Sequence, residues 1–403
     1  MQNKQRSLVV LLSVLAPCLM MALPGKIKAD AVFNFNEIPF FVGNFVFILL
    51  APFVYRRAIK QIDRDVFHLF VLGVSLTVIS SMTADDYILQ RIIISSGFFF
   101  VGMYFYGLKI EGKNLVLVKW IIFLSYLWLT LQVITTATGF YQIDTGIQQE
   151  FSHFIRRGTT AGPATQTAHL ILIMTGILLV GAKQDMKAYA LLLLSTVTIF
   201  FTGTKGALLP IIFIDFYMLK ETIRTRRQLF LSTLLVVILV YLFFSLSVFD
   251  YFNARVSEAG GYDSGRSERI ADTFNAYNQN IKSILIGYGG AITPYYDFTL
   301  SKIKPEFSPH NFYLTFLIEN GLLGLISIFS LLAVLVKKNF RTFKTGSLSV
   351  CIFFTVLLFT FNTELIGRTE PFVMFFWLYF VLIVQNERKI RSSVSHQVML
   401  CSS

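Results

Sequence analysis

The sequence predicts an all-α integral membrane protein, and three observations carry that reading. Of its 403 residues, 55% are hydrophobic and only 14% are charged, with a mean hydropathy of +0.64. That balance leaves too little polar surface to enclose one water-soluble core. Apolar runs of roughly 15–25 residues recur along the whole chain, matching the ~20 residues a helix needs to cross ~30 Å of hydrocarbon. The positive charge is also segregated. Arg56, Arg57, Lys60 and Arg64 form one cluster, Lys220, Arg224, Arg226 and Arg227 a second, Lys337, Lys338, Arg341 and Lys344 a third, and Arg388, Lys389 and Arg391 a fourth, all in alternate loops. This is the distribution of basic residues retained on the cytoplasmic side.

About twelve transmembrane helices follow, over about 8–24, 38–55, 66–82, 87–108, 115–137, 165–182, 188–203, 206–219, 229–249, 311–336, 346–361 and 371–385. Leu8–Leu23 followed by Ala29-Asp30-Ala31 has a cleaved signal sequence as its alternative reading, and it is read as an uncleaved helix because its apolar core is short and lysines 26 and 28 follow it. With the basic clusters inside, both termini are cytoplasmic, and a large loop at about 250–310, between helices 9 and 10, lies outside. No repeat or linker divides the chain, so residues 1–403 form a single polytopic membrane domain. Within the large loop, Gly265-Arg266-Ser267 reads as a turn and N-cap. Ile270, Phe274, Tyr277 and Ile281 then recur at helical spacing, predicting a short amphipathic helix that Gly287-Tyr288-Gly289-Gly290 breaks.

The charge of +12 is therefore a topology signal and not a nucleic-acid surface. Cys18, Cys351 and Cys401 have no metal-type spacing. The informative cations are those that oppose the topology rule: Arg156 and Arg157, Lys205, Arg255, Arg266, Arg269 and Arg368, all in outer loops. Converging at the outer face, they suit an anionic pyrophosphate, with arginine offering a planar fork and lysine a point charge. Ordinary ion pairing, such as Arg269 with Asp272, is the competing account. Lys205 lies in a four-residue break between two apolar runs, with glycines 203 and 206 allowing close approach.

The stretch SPHNFYLTFLIENGLLG, residues 308–324, opens an apolar helix with His310 and Asn311. On a continuous helix, Gly321 falls about 20° from His310 and Gly324 about 40° to the other side, so His310, Leu314, Leu317, Gly321 and Gly324 share a packing seam. Glu319 falls about 180° away and about 13 Å deeper, where it reads as a structural partner. His310 is either a general base near an aqueous cavity or a capping and interface residue with Asn311.

His310-Asn311, nine positions, Gly321, two positions and Gly324 resemble the signature of bacterial O-antigen ligases. Thr202-Gly-Thr-Lys-Gly206, Ser264-Gly-Arg-Ser-Glu-Arg269 and Gly287-Tyr-Gly289 are similar to motifs of the wider O-antigen ligase and polymerase superfamily of bacterial polytopic membrane glycosyltransferases. The resemblance implies metal-independent, inverting glycosyl transfer from undecaprenyl pyrophosphate at the periplasmic face of the inner membrane, with no cofactor. It implies His310 as the base that activates the acceptor hydroxyl, with Arg266 or Arg269, and Lys205, receiving the departing pyrophosphate. Arg157, Asn311 and Arg368 are expected at the substrate. Lys205 stands where the family commonly has arginine, so the charge is kept and the bidentate fork lost. The acceptor is either the lipid A–core of lipopolysaccharide, as in a ligase, or another lipid-linked repeat unit, as in a polymerase of O-antigen, capsule or exopolysaccharide. A flippase or transporter of lipid-linked sugars is the reading from another class. It would call for paired broken helices and repeat symmetry, and neither is seen in the sequence.

Overall fold

The computed structural model describes residues 2–22, 32–35, 38–41, 62–83, 88–137, 164–182, 185–202, 280–289, 311–339, 348–359 and 372–386, with isolated positions elsewhere. Within them the chain is almost entirely helical. Helix α1 covers Gln2–Ala22, α2 Arg64–Met82, α3 Ile88–Tyr106, α4 Lys113–Ala137, α5 Ala164–Leu179 and α6 Met186–Thr202. A short α7 follows at Ile281–Ile286, then α8 at Phe312–Asn339, α9 at Leu348–Phe359 and α10 at Phe372–Asn386. Among the described residues, most of the apolar runs thus mark helix positions to within a few residues. Arg64–Met82, Lys113–Thr136 and Phe312–Lys338 are each long and apolar enough to cross a membrane, although the last is divided at Gly321.

Two departures concern the edges of predicted elements. The run expected as a helix from 38 begins instead as strand β2, Ile38–Phe41, paired antiparallel with β1, Val32–Phe35. A second small hairpin joins β3, Glu150–Phe151, to β4, Phe154–Ile155. In the large loop, Ile281 does not continue a helix from Ile270. Asn280 has extended backbone at φ −160°, ψ 165° and caps a new helix, its carboxamide oxygen accepting from Ser283 N–H while Ser283 Oγ accepts from Asn280 N–H. This reciprocal cap starts α7 afresh, because an extended residue cannot lie inside a helix. The runs at 206–219 and 229–249 fall largely outside the described residues.

Packing follows the rule for helices in lipid, where small residues allow close contact and polar side chains join neighbours. Helices α2 and α3 run antiparallel, with Gly73 under the Phe99 ring and Phe70 beside Tyr106. Gly102 of α3 seats Trp377 of α10: a Cβ there would stand 2.5 Å from the indole. The indole N–H donates to Phe98 O at 3.0 Å. Phe98, Phe353, Phe376 and Phe380 extend this aromatic core, with ring centroids 5.1–6.1 Å apart. On the far side, the Tyr126, Ser195 and Thr175 hydroxyls form a chain linking α4, α6 and α5 at 2.9 and 2.6 Å.

One end of the bundle is tied by a set of polar contacts. Lys338 pairs with Asp65 at 2.8 Å and with Asp63 at 3.7 Å. Gln385 bonds Leu108 O at 2.7 Å and Ile110 N at 3.0 Å. The Lys119 ammonium donates to Leu178 O at 3.0 Å, meeting the carbonyls at the C-terminus of α5, where cations are favoured. The starts of α2 and α4 and the ends of α3, α5, α8 and α10 therefore lie together, as successive antiparallel crossings require.

Gly102→Ala is expected to lower stability by about 1–3 kcal/mol, because its methyl enters the space of a rigid indole. Thermal unfolding of the purified protein in detergent checks this against Gly97→Ala, where a Cβ meets nothing within 4 Å.

Candidate functional site

The segment that begins at Asn311 folds differently from a straight membrane helix. Asn311 is its N-cap: the side-chain oxygen accepts from Tyr313 N–H at 3.0 Å and Leu314 N–H at 3.1 Å. From there nine residues, 312–320, are helical, and then Gly321 adopts φ 65°, ψ −173°. That backbone region is open essentially to glycine alone. Beyond it the helix resumes to Asn339.

Gly321 does more than kink the helix. Tyr313 and Phe329 stack with ring centroids 5.3 Å apart and planes 9° apart, whereas a straight helix would separate their Cα atoms by about 24 Å. The chain therefore folds back at Gly321 into a helical hairpin with a short arm, 312–320, and a long arm, 322–339. A Cβ on Gly324 would lie 2.4 Å from Asn320 Cβ and 3.4 Å from the Phe316 ring, a spacing that only the folded-back chain gives. The long arm descends beside α2 to the Lys338–Asp65 pair. The short arm inserts into the aromatic core, with Phe312 on Phe98 at 5.8 Å, Phe316 on Phe99 at 6.1 Å and the Tyr313 hydroxyl donating to Leu357 O at 3.0 Å. The straight seam through Leu314, Leu317, Gly321 and Gly324 is thus replaced by a turn. Glu319 is not a deep residue on the opposite face but lies at the apex, buried with Asn320.

Folding back releases carbonyls. Ile318 and Glu319 would accept from Leu322 and Leu323 in a continuous helix, and amid apolar helices each needs another donor. Two residues from the region read as the large loop supply them. Tyr288 N–H donates to Ile318 O at 2.9 Å, and Gly289 N–H to Glu319 O at 2.8 Å. The Ser80 hydroxyl, from the end of α2, also donates to Glu319 O, and accepts from Gly289 N–H at 3.1 Å.

The approach is close enough to require glycine on both sides. Gly287, at φ 75° and ψ −164°, has Glu319 O 2.5 Å from where a Cβ would stand, and Gly321 has Leu285 O at 2.3 Å. Each glycine lies against the other's chain. Lys282 adds a tie, donating to Thr83 O at 3.1 Å.

Two of the sequence motifs, Gly287-Tyr-Gly289 and the Gly321/Gly324 pair, are therefore brought into direct contact. Of the candidate site residues, Asn311 is placed, and its carboxamide oxygen is committed to the cap. His310, Arg266, Arg269, Lys205, Arg157 and Arg368 lie outside the described residues. Beside Lys205, Thr202, Thr204 and Ala207 are buried, and Ala207 N–H bonds Thr204 O at 3.3 Å. Sequence reasoning missed Ser80 and the fold at Gly321. The signal for the fold is Asn320-Gly321, a turn dipeptide, set among residues apolar enough to read as uninterrupted helix.

Residues 190–329, roughly a third of the chain, match the family described as O-antigen ligase. The match supports, over that stretch, the O-antigen ligase and polymerase superfamily to which the motifs are similar. It ends at Phe329, the residue that closes the hairpin on Tyr313. No curated protein matches the chain.

Gly321→Ala is expected to destabilise the protein by about 2–4 kcal/mol through strain and collision with Leu285, read from thermal unfolding. Cysteines replacing Tyr313 and Phe329, in a protein whose own cysteines are replaced by serine, should cross-link within the chain through a short bifunctional reagent. Failure of that pair to cross-link, with the protein folded, is the result a straight helix gives.

Proposed function

We propose, with an O-antigen ligase domain over residues 190–329 as the premise, that the chain is a glycosyltransferase of the bacterial inner membrane, acting at its periplasmic face. It crosses the membrane about twelve times, and its large loop at about 250–310 lies on the periplasmic side. It moves a polysaccharide from undecaprenyl pyrophosphate to a hydroxyl of the lipid A–core. The observation that carries this reading is the coincidence of the family match with the four motifs, two of which pack on each other at the hairpin apex.

In the proposed reaction His310 takes the proton of the acceptor hydroxyl as that oxygen forms its bond to the sugar C1 and the C1–O bond to pyrophosphate breaks. Inversion at C1 follows from attack opposite the leaving group. The charge that gathers on the departing undecaprenyl pyrophosphate is met by Arg266, Arg269 and Lys205, with Arg157 and Arg368 as further contacts. Asn311, whose oxygen is held by Tyr313 and Leu314, offers the substrate only its amide N–H groups. These cations and the base suffice for the chemistry without a metal.

Polymerisation of lipid-linked repeat units is the second reading, favoured by the Ser264–Arg269 run. Transport is a weaker account. A folded-back helix occurs in transporters too, but here the carbonyls it frees are taken up by Tyr288, Gly289 and Ser80.

Reconstituted with a lipid-linked glycan and lipid A–core, the protein should form a glycosylated acceptor, and His310→Ala should lower the rate by roughly 10²–10⁴-fold. Flipping of donor without transfer would overturn the enzyme reading. In a deletion strain, long glycan retained on the carrier over bare core marks a ligase, and lipopolysaccharide with single repeats marks a polymerase.

A further inference from the structure

We propose that Ser80 is a positioning residue of this reaction, holding the Tyr288–Gly289 segment and the helical hairpin at fixed distance from the rest of the bundle. The inference rests on the function proposed above and adds a residue that no motif of the sequence marks.

Ser80 is fully buried near the C-terminus of α2, 209 positions from Gly289 and 239 from Glu319. Its hydroxyl nevertheless meets both at once, as donor to Glu319 O and acceptor from Gly289 N–H at 3.1 Å. Those two groups also bond each other at 2.8 Å, so Ser80 closes a three-membered set in which the loop, the hairpin and α2 each supply one member. Without it, the loop and the hairpin are joined by two consecutive backbone bonds, from Tyr288 to Ile318 and from Gly289 to Glu319. Two bonds in a row leave a hinge. A third contact from a separate helix removes the hinge and sets the pair against the bundle. The same end of α2 takes a second tie through Thr83 O and Lys282.

The consequence falls on the reaction because of what the two joined segments lead to. Gly289 follows the Ser264–Arg269 run by 20 positions in the sequence, and the hairpin begins at Asn311, next in sequence to His310. Under the proposed function these carry the cations for the leaving group and the base. Displacement of reacting groups by about 1 Å costs up to roughly a hundredfold in rate. Ser80 acts through Glu319 and Gly289, the two groups its hydroxyl bonds.

The test uses the full chain reconstituted with an undecaprenyl pyrophosphate-linked glycan and its acceptor lipid. Ser80→Ala should lower kcat roughly tenfold to a hundredfold with donor KM within about twofold of the parent, and Ser80→Thr, which keeps a hydroxyl, should recover most of the loss. Ser96→Ala, whose hydroxyl bonds back to Ile92 O of its own helix, should behave as the parent.

Hydrogen exchange decides the physical part independently of activity. The Tyr288 and Gly289 amides should exchange about three- to tenfold faster in Ser80→Ala and not in Ser96→Ala. A folded Ser80→Ala protein with parental kcat, or with unchanged exchange at these amides, overturns the proposal. Parent protein that transfers no glycan overturns the functional reading and the catalytic consequence with it, while the exchange rates still decide whether Ser80 fixes the interlock.

Discussion

A helix that stops among apolar neighbours leaves carbonyls that water does not reach, and each must find a donor within the protein. At Gly321 those carbonyls belong to Ile318 and Glu319, and the arrangement of the surrounding segments follows from satisfying them. Tyr288 and Gly289 supply backbone N–H groups and Ser80 a hydroxyl. That requirement draws the segment Tyr288–Gly289 down onto the bundle and fixes its register on the hairpin. It also explains the two left-handed glycines. A side chain at Gly287 or Gly321 would hold the two segments apart by more than a hydrogen bond can span.

The rest of the bundle holds this apex in place from below. The short arm enters an aromatic core through Phe312 and Phe316, and that core is itself organised by Trp377 resting on Gly102. Aromatic rings stacked on glycines give large contact area at short helix separation, the means available where lipid offers no hydrophobic drive between helices. At the opposite end the long arm is held by Lys338 with Asp63 and Asp65. The hairpin is thus fixed at its apex, along its short arm and at the foot of its long arm. A site built on it inherits that rigidity, as positioned catalytic groups require.

The interlock also gives a physical meaning to motifs that are separate in the chain. Gly287-Tyr-Gly289 and Gly321 with Gly324 lie about 32 positions apart, yet they are two halves of one contact. Both fall inside the stretch matched by the O-antigen ligase family. Small residues in these positions therefore serve the backbone geometry of the contact, whereas the charged residues of the large loop are those the proposed function assigns to the substrate.

By itself the sequence determined the membrane class, the positions of most helices and the resemblance to the ligase and polymerase superfamily. Those depend on the length of apolar runs, the placement of basic clusters and short motifs, all local in the chain. Only the tertiary structure decided the shape of the segment after Asn311. Hydropathy is blind to direction: an apolar run reads the same whether it crosses once or turns back on itself, and the Asn320-Gly321 dipeptide was outweighed by its neighbours. What turns the chain there is a left-handed glycine stabilised by donors from Tyr288, Gly289 and Ser80. Those partners are 30 to 240 positions away, beyond anything that periodicity can register.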